Sequence, residues 1–85
     1  MSSDNTWFVY ALFSPDYNRI YIGMTQRPEE RLKEHNRGKM KSTKGYRPWT
    51  RIFLEKAGNI EQARKLEKYY KTTEGRRKIR KLIPK

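Results

Sequence analysis

The sequence predicts an α+β domain, a small three-stranded antiparallel sheet flanked by helices in the order β-β-α-β-α-α. Two features of the apolar pattern support this. Apolar residues alternate with a period of two before residue 25, as in strands, and follow helical spacing after residue 60. A chain of 85 residues has room for one modest core, so residues 1–85 are assigned to a single domain. Residues 1–6 are polar and are predicted to be a disordered tail.

The composition is strongly basic. The net charge is +12, from 21 Lys and Arg against 9 Asp and Glu, which favours a polyanionic partner and DNA in particular. Cysteine is absent, which excludes disulfides and thiolate metal sites. No run approaches the ~18 apolar residues of a membrane span, so we expect a cytoplasmic protein without a membrane partner. No Gly-rich nucleotide-binding loop or small-molecule cofactor is predicted, and the pattern does not indicate an oligomeric state.

Two apolar runs near the N-terminus are typical of paired strands. In the first, residues 7–13, alternation places Val9 on one face of the sheet and Tyr10 on the other. Tyr10 is therefore expected at the edge of packed structure, with its hydroxyl available. Residues 14–18 contain Pro, Asp and Asn, as a tight turn does, so residues 20–24 should form an antiparallel neighbour.

The second run contains a glycine beside an aromatic residue. Tyr21 and Gly23 share one face of this strand, and the glycine removes the side chain that would stand next to Tyr21. A strand glycine often marks a close approach by a ligand or another backbone. We therefore expect close packing at Gly23.

A helix is predicted next. Thr25 is a candidate cap, Pro28 suits a first turn, and residues 36–38 supply a stop. Three basic residues recur at intervals of four and so share one face: Arg27, Arg31 and His35. The alternative to a functional face is an ordinary solvated surface helix.

The segment of residues 37–48 is predicted to be a long connection rich in cations. Small residues are interleaved with them, and Tyr46 is its aromatic residue. Such a loop could hold phosphates and stack a base, or it could be a mobile solubilising loop. Its cations are Arg37, Lys39, Lys41, Lys44 and Arg47.

A third strand and two helices complete the chain. Residues 49–58 alternate as a strand, and Asn59 with Gln62 resembles a capping box that starts a helix over residues 60–71. Residues 76–83 form a basic amphipathic turn or two, and the residues expected to face inward are Ile79, Leu82 and Ile83.

Glu67 lies inside the apolar arc of the first of these helices, between Ala63 and Tyr70. A carboxylate that points inward requires a partner. A salt bridge to Lys71, four residues later, would explain it without any function.

Two tyrosine motifs resemble those of the GIY-YIG nucleases. Val9-Tyr10 matches the end of the first triad of that family, and Tyr21-Ile22-Gly23 matches the second. Phe8 replaces the glycine of the first triad, a mild change in a strand. Arg31 stands ten positions after Tyr21, where the family places its catalytic arginine, and His35 follows where a histidine is frequent.

The resemblance continues into the later helix. Residues 63–71 look like the family's second motif helix, in which the position of Glu67 holds a divalent metal ion. Some relatives also place an asparagine beyond this glutamate to hold phosphate, and residues 72–85 contain none. The residues of these motifs look most like those of the small stand-alone bacterial branch of the family, which is related to the N-terminal domain of an excision-repair nuclease.

The resemblance implies a metal-dependent DNA endonuclease, with a role in DNA repair or recombination. Tyr10 would activate water with support from Tyr21, and Arg31 would stabilise the pentavalent phosphate. His35 would be a general base or a phosphate contact, and Glu67 would bind one Mg²⁺ or Mn²⁺ ion. DNA contacts are expected from Arg27, Arg37, Lys39, Lys41, Lys44, Arg47 and Lys71.

Two other classes of function remain open. A non-catalytic nucleic-acid-binding module, or a basic protein that binds RNA or the ribosome, would explain the charge of +12 equally well. Electrostatic binding alone needs neither the two tyrosines nor an inward carboxylate, so their combination favours the enzyme. We expect Tyr10, Tyr21, Arg31 and Glu67 to converge on one concave surface. The preferred structure or sequence of the nucleic acid is not indicated.

Overall fold

A computed structural model describes residues 6–84 and has the predicted α+β architecture. The predicted element order is confirmed, with one additional single-turn helix inside the cationic connection. Most of the predicted N-terminal tail lies outside the described residues. Within residues 6–84 no helix has the length and apolar character needed to cross a membrane. The elements are β1 (Trp7–Ser14), β2 (Arg19–Thr25), α1 (Pro28–Asn36), α2 (Lys41–Lys44), β3 (Thr50–Gly58), α3 (Ile60–Tyr70) and α4 (Thr73–Arg80).

The three strands form one antiparallel sheet in the order β2-β1-β3. The predicted pairing of the first two strands is confirmed, and its register sets Tyr10 opposite Gly23 and Leu12 opposite Tyr21. Asn18 closes the turn between them with φ of 54°, a left-handed conformation that asparagine tolerates. The sheet therefore places the two tyrosine motifs side by side.

One face of the sheet carries the apolar core. Val9, Ala11 and Ile22 from the strands are buried against Ala63 of α3 and Ile79 of α4. The helix α3 begins with the predicted capping box, in which Asn59 and Gln62 satisfy each other's backbone N–H groups. We call this side of the sheet the apolar face.

Strand β3 departs from simple alternation. Ala11 pairs with Phe53 and Leu12 pairs with Arg51, so Ile52 is an extra residue in a bulge. Ile52 and Phe53 consequently both pack against the apolar core, although alternation predicts opposite faces for them.

Three predictions about helix ends are corrected. Thr25 does not cap α1: Arg27 is the N-cap and has no side-chain cap hydrogen bond, while the Oγ1 of Thr25 accepts from the Arg27 N–H at 3.0 Å. Helix α3 ends at Tyr70, one residue earlier than predicted. Leu82 is 47% exposed, not inward, because α4 ends at Arg80.

Candidate active site

The opposite face of the sheet, which we call the tyrosine face, is covered as thoroughly as the apolar face. Tyr10 and Leu12 are buried there with Trp49, and Leu32 of α1 packs against them. Tyr10 is only 4% exposed, so its expected position at the edge of packed structure is wrong. Trp49, which lies distant in sequence, supplies much of the cover.

The buried hydroxyl of Tyr10 belongs to a chain of hydrogen bonds. Its oxygen lies 2.9 Å from Nε2 of His35, and Nδ1 of His35 lies 2.9 Å from Oγ1 of Thr43. Thr43 in turn reaches the carbonyl of Met40 at 3.5 Å. If Nδ1 carries the ring proton and donates to Thr43, then Nε2 accepts from the Tyr10 hydroxyl, and each group has a partner.

The protonation state of His35 fits this arrangement. The ring is fully buried, and that burial, followed by the positive charge of Arg31, lowers its pKa below the ordinary value, while Glu34 opposes the shift in part. The lowered pKa favours the neutral ring, the form in which Nε2 can accept from Tyr10. A histidine on a helix rich in charged residues could have been solvated, and the structure shows the reverse.

Trp49 fixes the position of Thr43. Its indole N–H donates to the Thr43 carbonyl at 2.9 Å. The backbone of Trp49 is held by Asn36, whose amide donates to the Trp49 carbonyl at 3.0 Å and accepts from its N–H at 2.7 Å. Sequence analysis missed all three residues as parts of the site. They lie at the end of α1, in the single turn of α2 and just before β3, where no periodicity indicates which residues meet.

Tyr21 and Gly23 complete this side of the site. The ring centroid of Tyr21 lies 4.9 Å from that of His35 and 6.3 Å from that of Tyr10. A Cβ at Gly23 would lie 2.6 Å from the Tyr10 hydroxyl oxygen and 2.8 Å from Cζ. The close approach expected at Gly23 is therefore present, and the approaching group is the Tyr10 side chain.

Arg31 lies at the rim of the site, with its side chain 36% exposed. In this state its guanidinium pairs with Glu34 at 3.1 Å, and Glu34 also lies 3.9 Å from Lys39. Arg31 and Glu34 line a surface pocket of about 230 Å³. Glu34 is a further residue of the site that the motif spacing did not indicate.

Glu67 belongs to the helix that covers the other side of the sheet. Its helix, α3, packs on the apolar face through Leu66 and Tyr70, whereas Arg31 belongs to α1 on the tyrosine face. The Glu67 side chain is 20% exposed, and its carboxylate lies 3.4 Å from Lys71. The salt bridge to Lys71 considered from the sequence is thus present.

Burial and the surrounding charged groups shift the pKa of Tyr10. Burial, then the nearby Tyr21, raises this pKa above the ordinary value, and Arg31 lowers it. The carboxylates of Glu67 and Glu34 raise it further. The helices of Arg31 and Glu67 cover opposite faces of the sheet, so the convergence of Tyr10, Tyr21, Arg31 and Glu67 on one concave surface stays a prediction.

Among residues 6–84 no group of three or more His, Asp or Glu side chains is arranged to hold a metal ion. The carboxylate that the family resemblance assigns to a metal ion is that of Glu67, while Glu34 is paired with Arg31 and Lys39. Mg²⁺ commonly keeps several waters and binds through one or two carboxylates together with substrate phosphate oxygens. A single carboxylate beside the site therefore fits such an ion and does not fit zinc, which requires three or four protein ligands.

The predicted DNA-contacting residues differ in whether they are paired with carboxylates. Lys41 and Lys44 are exposed on α2, the same turn of helix that supplies Thr43 to His35. Arg47 donates from Nε to the Lys44 carbonyl at 2.8 Å. Arg37 is exposed just after α1, and Arg27, Lys39 and Lys71 are paired with carboxylates. The cationic connection is thus part of the wall of the candidate site.

Comparison with known proteins shows which family has these sequence motifs. The profile of the GIY-YIG catalytic domain matches residues 6–80. The chain is 45% identical over 53 residues to the structure-specific endonuclease subunit slx1 of Xenopus laevis, a stretch that covers 54% of this chain and 19% of that protein. No solved structure matches the chain. Placement in a bacterial branch of the family stays a prediction.

Proposed function

This chain belongs to the GIY-YIG nuclease family, and we propose that it is a divalent-metal-dependent endonuclease that hydrolyses phosphodiester bonds in DNA. The observation that carries the proposal is the buried hydrogen bond between Tyr10 and His35, on the side of the sheet where Arg31 lies at the rim of the site. The relative's name describes a structure-specific endonuclease subunit. We extend this to the present chain as a role on DNA structures that arise in repair or recombination.

Tyr10 cannot activate water as a free phenolate at neutral pH, because burial raises its pKa. His35 removes this difficulty, since Nε2 is a neutral acceptor 2.9 Å from the hydroxyl. As Tyr10 passes its proton to His35, its oxygen accepts one from the attacking water. The imidazolium formed keeps its hydrogen bond to Thr43. His35 is then the base, and Tyr10 relays the proton.

Arg31 supplies positive charge for the phosphate. A guanidinium presents donors in a fixed fork that matches phosphate oxygens, and this interaction strengthens as negative charge develops in the transition state. In the free protein Glu34 occupies part of that fork at 3.1 Å. Bound DNA must therefore compete with Glu34 for Arg31.

Glu67 would hold the divalent ion, which when bound supplies positive charge to stabilise the leaving alkoxide. The alternative, a purely structural pair with Lys71, contributes little because the Lys71 side chain is 48% exposed. Ion pairs at such positions stabilise a fold by roughly 0–1 kcal/mol. Stability alone therefore gives little reason for a carboxylate at this position.

The proposal is tested by incubating the protein with labelled blunt duplex, nicked duplex, flapped duplex and four-way junction DNA in Mg²⁺ or Mn²⁺. We expect cleavage of at least one of these substrates, and none in EDTA. Tyr10→Phe keeps the ring and removes the relay, so it should abolish cleavage. Tyr70→Phe is the matched control, because that hydroxyl donates to Glu55 at 3.2 Å outside the site.

A wild-type protein that binds DNA but cuts no substrate with either ion would overturn the proposal. That result would leave a basic nucleic-acid-binding module, the second function that a net charge of +12 supports. A Tyr10→Phe variant that cuts as fast as the wild type would instead remove the proposed relay.

A further inference from the structure

A second aromatic cluster lies at the end of the β1–β2 hairpin, and the mechanism above does not use it. The rings of Tyr17 and Tyr46 meet edge to face, with centroids 5.3 Å apart and planes at 84°. The guanidinium carbon of Arg19 lies 4.3 Å from the centroid of the Tyr46 ring, a cation–π arrangement. We call Tyr17, Arg19 and Tyr46 the tyrosine platform.

Packing does not account for Tyr17. Its side chain belongs to a turn, is 54% exposed and contributes to neither buried cluster of the sheet. Tyr46 is different, since it packs on buried Trp49 with centroids 6.4 Å apart. Tyr17 therefore presents an aromatic surface to solvent above a ring that is anchored in the structure.

The platform is continuous with the candidate active site. Trp49 joins the two, because its ring centroid lies 6.4 Å from that of Tyr46 and 6.4 Å from that of Tyr21. These two steps of 6.4 Å span no more than a few nucleotides, since successive phosphates are ~3.4 Å apart along the axis of a duplex and farther apart in an extended single strand. One DNA strand can thus reach both places.

The surroundings of the platform are basic. Lys44 and Arg47 are exposed on either side of Tyr46 in the sequence. From α4, Arg80 donates to the side chain of Asn18 in the hairpin turn at 3.3 Å, which adds a further cation beside Tyr17. Asp16 is the one acidic residue of the turn segment 14–19. A polyanion is therefore the ligand that the local charge favours.

We infer that the tyrosine platform stacks an unpaired base of the strand that continues from the cleaved phosphodiester. Aromatic faces and guanidinium planes bind exposed bases irrespective of sequence, whereas the bases of an intact duplex are already covered by their neighbours. The inference deepens the proposed function and rests on it. It assigns the substrate class as DNA with unpaired nucleotides close to the cut. Sequence analysis anticipated a stacking role for Tyr46 and did not include Tyr17 or Arg19.

The test is a binding measurement in EDTA, which does not depend on cleavage. Fluorescence anisotropy would compare a single-stranded oligonucleotide with a blunt duplex that has the same number of phosphates. Tyr17→Ala should weaken binding of the single strand by about tenfold, the typical loss for one stacked base, and change duplex binding by less than about twofold. Tyr17→Phe should bind both DNAs as the wild type does, because the ring and not the hydroxyl carries the interaction.

A matched control removes an aromatic ring with a neighbouring cation from a different surface. Lys78 lies 5.3 Å from the centroid of the Tyr69 ring, and Tyr69→Ala should leave the preference for single strands unchanged. Melting curves would verify that each variant folds. The inference is overturned if Tyr17→Ala binds the single strand normally, if it loses duplex binding equally, or if Tyr69→Ala reproduces its effect. A protein that cuts DNA and gives any of these results would keep the proposed function and lose the platform.

Discussion

The two faces of the sheet are buried to the same depth by very different chemistry. On the apolar face, Val9 is fully buried among aliphatic side chains such as Ile79. On the tyrosine face, fully buried His35 bonds to Tyr10 and to Thr43, which is also buried. Val9 and Tyr10 are consecutive in β1, so one strand serves both environments.

The apolar face therefore contributes mainly to the stability of the fold, and the tyrosine face positions the candidate catalytic groups. Burial of apolar surface is favourable wherever shapes fit, so the apolar face needs no particular partners. The buried side chains of Tyr10, His35 and Thr43 instead depend on their hydrogen bonds, because an unsatisfied buried group costs ~1–3 kcal/mol. Such a chain of bonds fixes the orientation of His35 and Tyr10. Variants on the two faces should therefore fail in different ways.

On the tyrosine face the damage should be to the cleavage rate. Arg31→Ala should lower the cleavage rate by roughly 10²–10³-fold, the usual loss when one donor to a developing negative charge is removed. The melting temperature should change little, because the pair with Glu34 is partly exposed. Single-turnover kinetics at saturating protein would measure the rate separately from DNA affinity.

Arg27→Ala is the matched control for Arg31. Arg27 is also on the α1 side and pairs with Glu30 at 3.1 Å, but its side chain is 78% exposed. Its loss should weaken DNA binding modestly and leave the rate of bound substrate close to normal. If both variants slow single turnover equally, Arg31 has no special role in the transition state.

On the apolar face the damage should be to stability. Ile79→Ala removes a side chain that is 1% exposed and should lower the free energy of unfolding by about 3 kcal/mol. Leu82→Ala, at 47% exposure, should cost less than ~0.5 kcal/mol. Denaturant titration would measure both. Equal losses, or a cleavage defect in folded Ile79→Ala protein, would contradict the division between the faces.

The tyrosine face should also make stability depend on pH. The folded pKa of His35 is lowered, so at acid pH the unfolded chain binds more protons and the folded state loses stability as pH falls through about 6.5. The folded pKa of Tyr10 is raised, so stability should fall again as pH rises above about 10. Melting temperatures of the wild type and His35→Gln between about pH 5.5 and 7 would test the acid limb. A slope that persists in His35→Gln would assign the titration to another group.

The smallest expected effect concerns the cationic connection. Replacement of Lys39, Lys41 and Lys44 with alanine should weaken non-specific DNA binding and reduce the slope of log affinity against log salt, by up to ~0.9 for each phosphate that the variant no longer neutralises. Wild-type dissociation constants of roughly 10⁻⁴–10⁻⁶ M are expected at physiological salt. Equilibrium binding at several salt concentrations would measure the slope. An unchanged slope would place the phosphate-binding residues elsewhere.

Local patterns were sufficient to predict most of the fold. The period of two in β1 predicted which side chains share a face, and the capping box at Asn59 predicted where α3 begins. Both signals concern residues that are close in sequence. The bulge at Ile52 was not predictable, because it depends on the register with β1.

The sequence predicted which residues form the candidate site, but not how deeply they are buried or which hydrogen bonds they make. Motif spacing indicated Tyr10 and His35, yet neither the burial of Tyr10 nor the bond between them follows from spacing. Both depend on Trp49 and Thr43, which meet them only through tertiary contacts. The proposed catalytic and metal-binding roles remain predictions that require activity measurements.

The central claim is that Glu67, from a helix on the apolar face, belongs to the chemistry of the tyrosine face. Its most direct test is Mg²⁺-dependent cleavage by Glu67→Gln, measured with the melting temperature and with Lys71→Gln as control. The account predicts that Glu67→Gln loses several powers of ten in rate, since a bound metal contributes several kcal/mol to the transition state, while it melts like the wild type. Lys71→Gln should keep most of the activity. A Glu67→Gln protein that cuts DNA at the wild-type rate would contradict the account.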